Sequence, residues 1–400
     1  MVRKLGFVLL LLVALVAFAV AGAWAYAQTQ TGRNQIAALI AGQLGEPGRP
    51  ADVEGLAGRL PFDIRLGALR LRDEDGVWLK VENARLTIRP AALLRGTVEV
   101  AEVGAGRVAL HRLPAEQEPP QPFSLLQIPE LPRSLPHVEI QNLHIDALAL
   151  GQSILGESAT FTLTGHGGTG ADGAAAGLDL ALRRTDQSTA RLDLSVDVDL
   201  AAQSLRVDTR GEETGGLLAT ATGRPGAGAL RLSLTGDGPL AVWQGRLEVN
   251  AERLAQLQLG IDLAYAEQRR LAVQGSLELA QGALPPDISA LVGSRVELGL
   301  KAAQTGPRRY ALQQLRVDAV AGSLGGQGEL DLAADTVAGE ITLAAPDLQR
   351  FSTVAATPLA GSASLHLTAA GAASQPELTL TPDGGLGRSV PGRRSRQVRN

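Results

Sequence analysis

A two-residue alternation of apolar and polar side chains constrains the fold of this chain more than any other feature. In the clearest segment, RLDLSVDVDL at 191–200, the apolar residues fall on one face of a strand and the polar residues on the other. Glycine-rich turn signals separate such segments up to about residue 382. The sequence therefore predicts a mainly β fold. Its aliphatic face includes Leu192, Leu194, Val196, Val198, Leu230, Leu232, Leu234, Leu259, Ile261 and Leu263.

An apolar strand face must be covered by something, and the composition limits the choice. Aromatic residues make up only 3% of the chain, so the face is mainly Leu, Val and Ala. A facing sheet or a solenoid would give a dry core, and periodicity alone favours that arrangement. A sheet curled into an open trough would instead leave the face for hydrocarbon, since each buried methylene group gains about 0.8 kcal/mol.

The N-terminal segment is long and apolar enough to be a membrane anchor. No charged residue occurs from Leu5 to Ala27, and Arg3 and Lys4 precede the segment. The sequence predicts a single-pass transmembrane helix with its positive end in the cytoplasm. Its expected membrane-contacting residues are Leu5, Phe7, Leu10, Val13, Phe18 and Trp24. The alternative is a cleaved signal peptide that ends at Ala27. In either case we expect the rest of the chain to be exported.

Changes of pattern along the chain predict its organisation. After the anchor, apolar residues at helical spacing predict a short helix at 35–44, and alternating segments predict strands beyond it. A proline-rich stretch then predicts an extended linker. Short helices are expected at 90–94, 286–292 and 345–355. The predicted domains are 1–27 (anchor), 28–113 (amphipathic helix and β-domain), 114–136 (linker), 137–383 (β-repeats) and 384–400 (basic tail). The last segment has two interpretations: a solvated tail, or the end of a frameshifted or truncated gene.

The sequence offers no arrangement typical of catalysis, so we expect no enzyme, cofactor or metal site. The net charge is −4 and cysteine is absent, which favours neither a nucleic-acid partner nor a thiolate site. His137 and His144 are weak metal candidates, and no serine lies in a G-x-S-x-G elbow. The glycines at 165–170 are expected to form a flexible turn. Asp193, Asp197 and Asp199 are expected on an exposed strand face.

One segment, 58–114, resembles a known family over about 55 residues. The matching pattern has a Leu-Pro pair before the first strand, an Asp-x-x-Gly-x-Trp-Leu turn, and a Pro followed by Leu-Leu-x-Gly. Its residues are Leu60, Pro61, Asp73, Gly76, Trp78, Pro90 and Gly96. This segment, preceded by an anchor, resembles the start of the TamB family. TamB is the inner-membrane subunit of the translocation and assembly module, within the AsmA-like group related to bridge-like lipid-transfer proteins.

The resemblance implies a long antiparallel sheet curled into a trough, or β-taco, with an apolar concave face. It implies an inner-membrane protein with its body in the periplasm. Its expected role is phospholipid transport and outer-membrane biogenesis, including protein secretion and assembly with the barrel partner TamA. An anchored structural or adhesive β-solenoid with a dry core is the alternative.

The resemblance stops short of the family's C-terminal domain, which meets TamA and has no counterpart in this sequence. Repeats over 137–382 would make on the order of 20–25 strands, reaching roughly 100–120 Å. That length is short for crossing the periplasm. We therefore expect a truncated chain without TamA contact.

Overall fold

The computed structural model describes residues 26, 28–45, 48–114, 135–186, 189–214, 228–265 and 268–384. The protein is mainly β, with 64% of residues in strands, as the alternation predicted. Its contacts divide it between residues 201 and 202 into two compact units, which carry strands β1–β8 and β9–β19.

Four α-helices occur in the described part of the chain: α1 (Gln30–Leu44), α2 (Pro90–Leu93), α3 (Gln152–Leu155) and α4 (Pro286–Val292). Helix α1 begins earlier than its apolar spacing predicted because Thr29 caps it, accepting a hydrogen bond from the Gly32 N–H at 3.1 Å. The expected helices at 90–94 and 286–292 are confirmed, and the segment at 345–355 contains a 3-10 helix, Leu348–Phe351.

No helix among the described residues has both the length and the apolarity to span a bilayer. The expected anchor residues Leu5, Phe7, Leu10, Val13, Phe18 and Trp24 lie outside those residues.

The first unit contains one sheet of eight strands, paired in chain order. They are β1 (Ala51–Glu54), β2 (Asp63–Asp73), β3 (Gly76–Ile88), β4 (Val98–Leu110), β5 (Val138–Leu150), β6 (Ala159–Thr169), β7 (Ala175–Arg184) and β8 (Ala190–Asp199). No described pairing joins β1 to β8, so this sheet is not closed.

The pairing of β4 with β5 is parallel, so the sheet is mixed where a wholly antiparallel one was expected. A parallel neighbour needs a long connection, because the chain must return to the same end of the sheet. The expected linker at 114–136 lies in that connection, and most of it lies outside the described residues. The strands on its two sides thus share one sheet, and the division into units falls elsewhere.

The second unit contains eleven strands, and every described pairing is antiparallel between chain neighbours. They are β9 (Ser204–Thr214), β10 (Ala229–Asp237), β11 (Trp243–Ala251), β12 (Ala255–Tyr265), β13 (Arg269–Leu279), β14 (Arg295–Gly306), β15 (Arg309–Ala319), β16 (Gly322–Asp331), β17 (Thr336–Ala345), β18 (Ala363–Ala372) and β19 (Gln375–Gly384). No described pairing joins β9 to β19, so this sheet is also open.

Two local expectations were wrong. The segment 137–382 was expected to hold at least 20 strands, but its described residues hold 15, β5–β19, because most strands run for ten residues or more. Gly165, Gly167 and Gly168 lie in β6 instead of a flexible turn. A side chain at Gly165 would meet the Leu180 Cδ2 atom at 2.6 Å, so the glycine makes room for its cross-strand neighbour.

Trp243 is the main buried aromatic residue at one end of the second unit. Its indole N–H donates a 2.8 Å hydrogen bond to the Leu205 carbonyl, which fixes the ring across β10 and β11. A Cβ at Gly236 would lie 2.1 Å from the ring, and one at Gly245 would lie 2.5 Å from it. The two glycines, which pair directly, therefore form the surface on which the indole packs.

Replacing Gly236 with Val should destabilise the protein by about 1–3 kcal/mol, because the new side chain would overlap the Trp243 ring. Thermal unfolding followed by tryptophan fluorescence measures this change. The matched control is Gly260→Val, since a Cβ there meets only Gln274 atoms at 3.7 Å or more. Equal destabilisation by both variants would contradict the packing described for Trp243.

Candidate functional site

The candidate site is the aliphatic face of each sheet, which the cross-strand register makes continuous. In the first unit, Leu180 of β7 lies opposite Leu194 of β8, and Leu182 lies opposite Leu192. Directly opposite residues of neighbouring strands share one face. One row of such neighbours crosses β2–β8 through Ile64, Leu86, Val103, Leu143, Gly165, Leu180 and Leu194.

Beta bulges preserve this face where the strands of the first unit are longest. The register of β5 against β6 shifts between Ile140 and Leu143 and again between Ile145 and Leu148. An unbroken two-residue period would turn Ile140 and Leu143 to opposite faces, whereas an extra residue restores the direction of the side chain. The bulges therefore keep both residues on the aliphatic face.

The second unit has an equivalent aliphatic face. Leu232 lies opposite Val249, which in turn lies opposite Leu257, and the row continues through Leu277 and Val296. The structure thus places the ten expected face residues in two groups. Leu192, Leu194, Val196 and Val198 lie on β8 of the first unit, and Leu230, Leu232, Leu234, Leu259, Ile261 and Leu263 lie on β10 and β12 of the second.

The aliphatic faces remain partly open. All ten expected face residues are half-buried. On the terminal strand β19, Leu378 and Leu380 are 63% and 59% exposed. In the described chain no large side chain is fully buried, as a close-packed core would require.

An apolar cavity lies on the face formed by β14–β18, with a volume of about 270 Å³. Its walls include Tyr310, Leu330 and Val337 on one side and Ile341 and Leu367 on the other. This volume lies near the lower end of the range for small-molecule pockets, about 300–1,000 Å³. The cavity would hold a short length of a narrow apolar ligand.

A row of small residues forms the floor of this cavity. Gly328 of β16 lies opposite Gly339 of β17, which lies opposite Ala369 of β18. The row is flanked by Leu330 and Val337 on one side and by the wall of Ile341 and Leu367 on the other. Because cross-strand rows run perpendicular to the strands, the depression runs along the length of the sheet.

The opposite face of the second unit is polar and carries ion pairs between neighbouring strands. Arg309 and Asp331 lie directly opposite each other, with 2.7 Å between Nη2 and Oδ2. The hydrogen bond from Arg309, joined by the backbone N–H of Ala334, lowers the pKa of the Asp331 carboxyl. The pair therefore persists at neutral pH and weakens only as the pH falls through that lowered value.

The motif residues at 60–96 make contacts that hold the turns of the first unit. Arg112 binds the Asp73 carboxylate through both terminal nitrogens, and the Asp75 N–H donates to the same carboxylate at 3.0 Å. Gly76 has a φ of 105°, which L side chains rarely adopt. These contacts close the β2–β3 turn. Leu60, in the β1–β2 connection, is buried.

Other motif residues hold the end of β3 and the start of β4. Trp78 accepts the His111 N–H at its carbonyl, which joins β3 to the end of β4. Pro90 begins α2, and Gly96 with a φ of 76° ends the loop that follows it. None of the seven motif residues lines the apolar cavity of β14–β18.

The two histidines considered as metal ligands, and the aspartate Asp193, lie close to other side chains. His137 Nδ1 lies 3.0 Å from the Thr97 hydroxyl, and His144 Nε2 lies 3.8 Å from a Glu102 oxygen. Asp193 forms an ion pair with Arg183 at 2.8 Å. Within the described ranges, no three His, Cys, Asp or Glu side chains are placed to hold a metal ion.

Comparisons with family models, with curated proteins and with solved structures each find no match for this chain.

The sequence indicated the aliphatic strands but not the cavity. Leu330 and Leu367 belong to alternating segments that the pattern identifies. Gly328, Gly339 and Ala369 are 11 and 30 residues apart, and only strand pairing brings them into one row. The available signal was the high glycine content of β16, which marks close backbone approach without saying where it occurs.

Filling the cavity from β18 should weaken the binding of an apolar probe there. Ala369→Leu extends a larger side chain over the small-residue row, so a fluorescent fatty acid should bind less tightly, by about tenfold if two methylene contacts are lost. Fluorescence titration measures the affinity. Ala370→Leu makes the same change on the opposite face and should leave the affinity unchanged. A similar loss in both variants would exclude the cavity as the probe site.

Proposed function

We propose that this protein is an inner-membrane-anchored periplasmic protein that holds phospholipid acyl chains along its aliphatic β-faces. One observation carries the proposal: the aligned aliphatic side chains of many strands remain half-buried instead of sealed. Open aliphatic surface of this extent is unfavourable in water, and its usual explanation is a binding surface.

The composition of the face favours hydrocarbon over a more polar guest. Around the cavity the walls are Leu, Val, Ile and one Tyr, and the floor is Gly and Ala. Such a surface offers few hydrogen bonds to orient a polar molecule, whereas each acyl methylene group buried there gains about 0.8 kcal/mol. The small-residue row along the length of the sheet suits an extended chain.

The alternative is an anchored structural or adhesive β-solenoid with a dry core. That arrangement requires the inward side chains to be packed by other protein side chains. The ten face residues, four in the first unit and six in the second, are half-buried, and on β17 Ile341 and Leu343 are exposed. This openness favours the lipid-holding function over the dry core.

The cellular role proposed here follows the resemblance to the TamB family. It comprises a trough-like sheet, phospholipid transport between the inner and outer membranes, and support of outer-membrane protein assembly. The inner-membrane location is supported by the uncharged segment from Leu5 to Ala27 behind Arg3 and Lys4. A TamA contact has no supporting observation beyond the family resemblance.

Photo-crosslinking tests the proposal with neighbouring residues on opposite faces. A photoreactive phenylalanine derivative at Leu194 or Leu232 should capture phospholipid in cells, detected by mass spectrometry of the purified protein. The same residue at Ser195 or Ser233 should capture little, because these positions face the polar side. All four positions are half-buried, so exposure does not distinguish them. Equal capture from both faces, or none from Leu194 and Leu232, would reject the proposal.

A further inference from the structure

The loop after β3 presents the most exposed large apolar side chain among the described residues. Leu94 is 91% exposed, and its neighbour Leu93 is 43% exposed. Pro90 and Ala91 beside them are exposed as well. Single exposed leucines are common, but here four of five consecutive nonpolar residues are exposed, and together they form a small apolar tip. We call residues 90–96 the leucine loop.

The backbone holds the leucine loop in a defined conformation. The Arg95 N–H and the Thr97 N–H both donate to the Ala92 carbonyl, at 2.9 and 3.2 Å, and the Gly96 N–H donates to Leu93 at 3.0 Å. Ala92 is 1% exposed and anchors the loop against the sheet. Leu94 is therefore held outward by the fold of the loop.

The leucine loop lies at the end of the first unit where α1 also joins the sheet. The Ile88 N–H donates to the Phe62 carbonyl at 2.7 Å, which places the loop beside the β1–β2 connection. The Gln28 side chain donates to the Leu60 carbonyl of the same connection at 2.8 Å. The residues that follow the uncharged segment Leu5–Ala27 in the sequence are thus attached at this end.

The three segments that meet at the leucine loop are locally rich in arginine. Ranges 28–34, 55–65 and 87–99 contain five arginines and two acidic residues. Farther along the same end of the sheet lie the acidic residues Glu139, Asp172 and Asp199, so the excess of arginine is confined to the corner that holds the loop. Arg89 and Arg95 flank the leucines. Both pair with the Glu99 carboxylate, which has little exposure, while the two guanidinium groups remain largely in solvent.

We propose that the leucine loop is a membrane-contacting tip. Leu93 and Leu94 would enter the interface of a bilayer that contains anionic lipid, and Arg89 and Arg95 would face the headgroups. Apolar side chains inserted at the acyl boundary with flanking basic charge are the features that bind peripheral segments to such bilayers. The proposal goes beyond lipid holding, because it concerns where the first unit meets the membrane.

The chain contains no cysteine, so single labelling sites can be introduced in the full protein without other changes. Leu94→Cys carries an environment-sensitive fluorophore, and the protein is reconstituted in vesicles of equimolar phosphatidylcholine and phosphatidylglycerol. The control is Glu74→Cys in the exposed β2–β3 turn, at the other end of β3 and roughly 40 Å away. Lipids with a quencher near the acyl carbonyl report contact with the bilayer.

The label at position 94 should show blue-shifted emission and strong quenching by these lipids, and the label at position 74 should show neither. Arg89→Gln with Arg95→Gln, or vesicles of phosphatidylcholine alone, should reduce the quenching at 94 several-fold. Equal responses at 94 and 74 would overturn the proposal. Blue-shifted emission without lipid quenching would also overturn it, in favour of a protein contact.

The result is separable from the proposed function. Lipid capture at Leu194 and Leu232 measures whether lipid occupies the aliphatic face. The label at position 94 measures instead how close the leucine loop lies to the bilayer. Failure of the label with intact lipid capture would reject the membrane tip alone.

Discussion

Cross-strand register is the constraint on which the rest of this structure depends. A shift of one residue between two neighbouring strands would move aliphatic side chains to the polar face. Most of the observed pairings avoid this shift, so Leu180 meets Leu194 and Leu232 meets Val249. Each sheet consequently has one aliphatic and one polar face. The polar face fixes the same register through cross-strand ion pairs such as that of Arg309 with Asp331.

The open aliphatic faces explain why the chain has so few aromatic residues. Close packing of a core usually relies on large rings, which contribute much buried area. Here Trp243 fills one end of a sheet by lying over a glycine pair, whereas elsewhere the glycine pair Gly328–Gly339 is left uncovered and forms the cavity floor. Glycine thus makes room for a packed ring at one place and leaves an open depression at the other. Large rings along the face would close that depression.

The two ends of the first unit differ in chemistry. The β2–β3 turn is closed by the Asp73–Arg112 pair and carries the acidic residues Glu74 and Asp75. The corner at the opposite end carries the leucine loop, the attachment of α1 and the exposed residues Arg89 and Arg95. An exposed apolar tip flanked by arginines favours one orientation of the sheet at an anionic surface. Orientation of this kind would place the aliphatic face at a defined position relative to a bilayer, as the proposed function needs.

The sequence by itself determined the class of the fold, the strand segments and the separation into aliphatic and polar faces. These are local properties, since the direction of a side chain in a strand depends only on its position in the two-residue period. Tertiary structure alone decided the parallel pairing of β4 with β5, the position of the division between the units and the cavity. Each of these depends on which distant segments exchange backbone hydrogen bonds. Gly328, Gly339 and Ala369 become one surface only through that pairing, which no local pattern specifies.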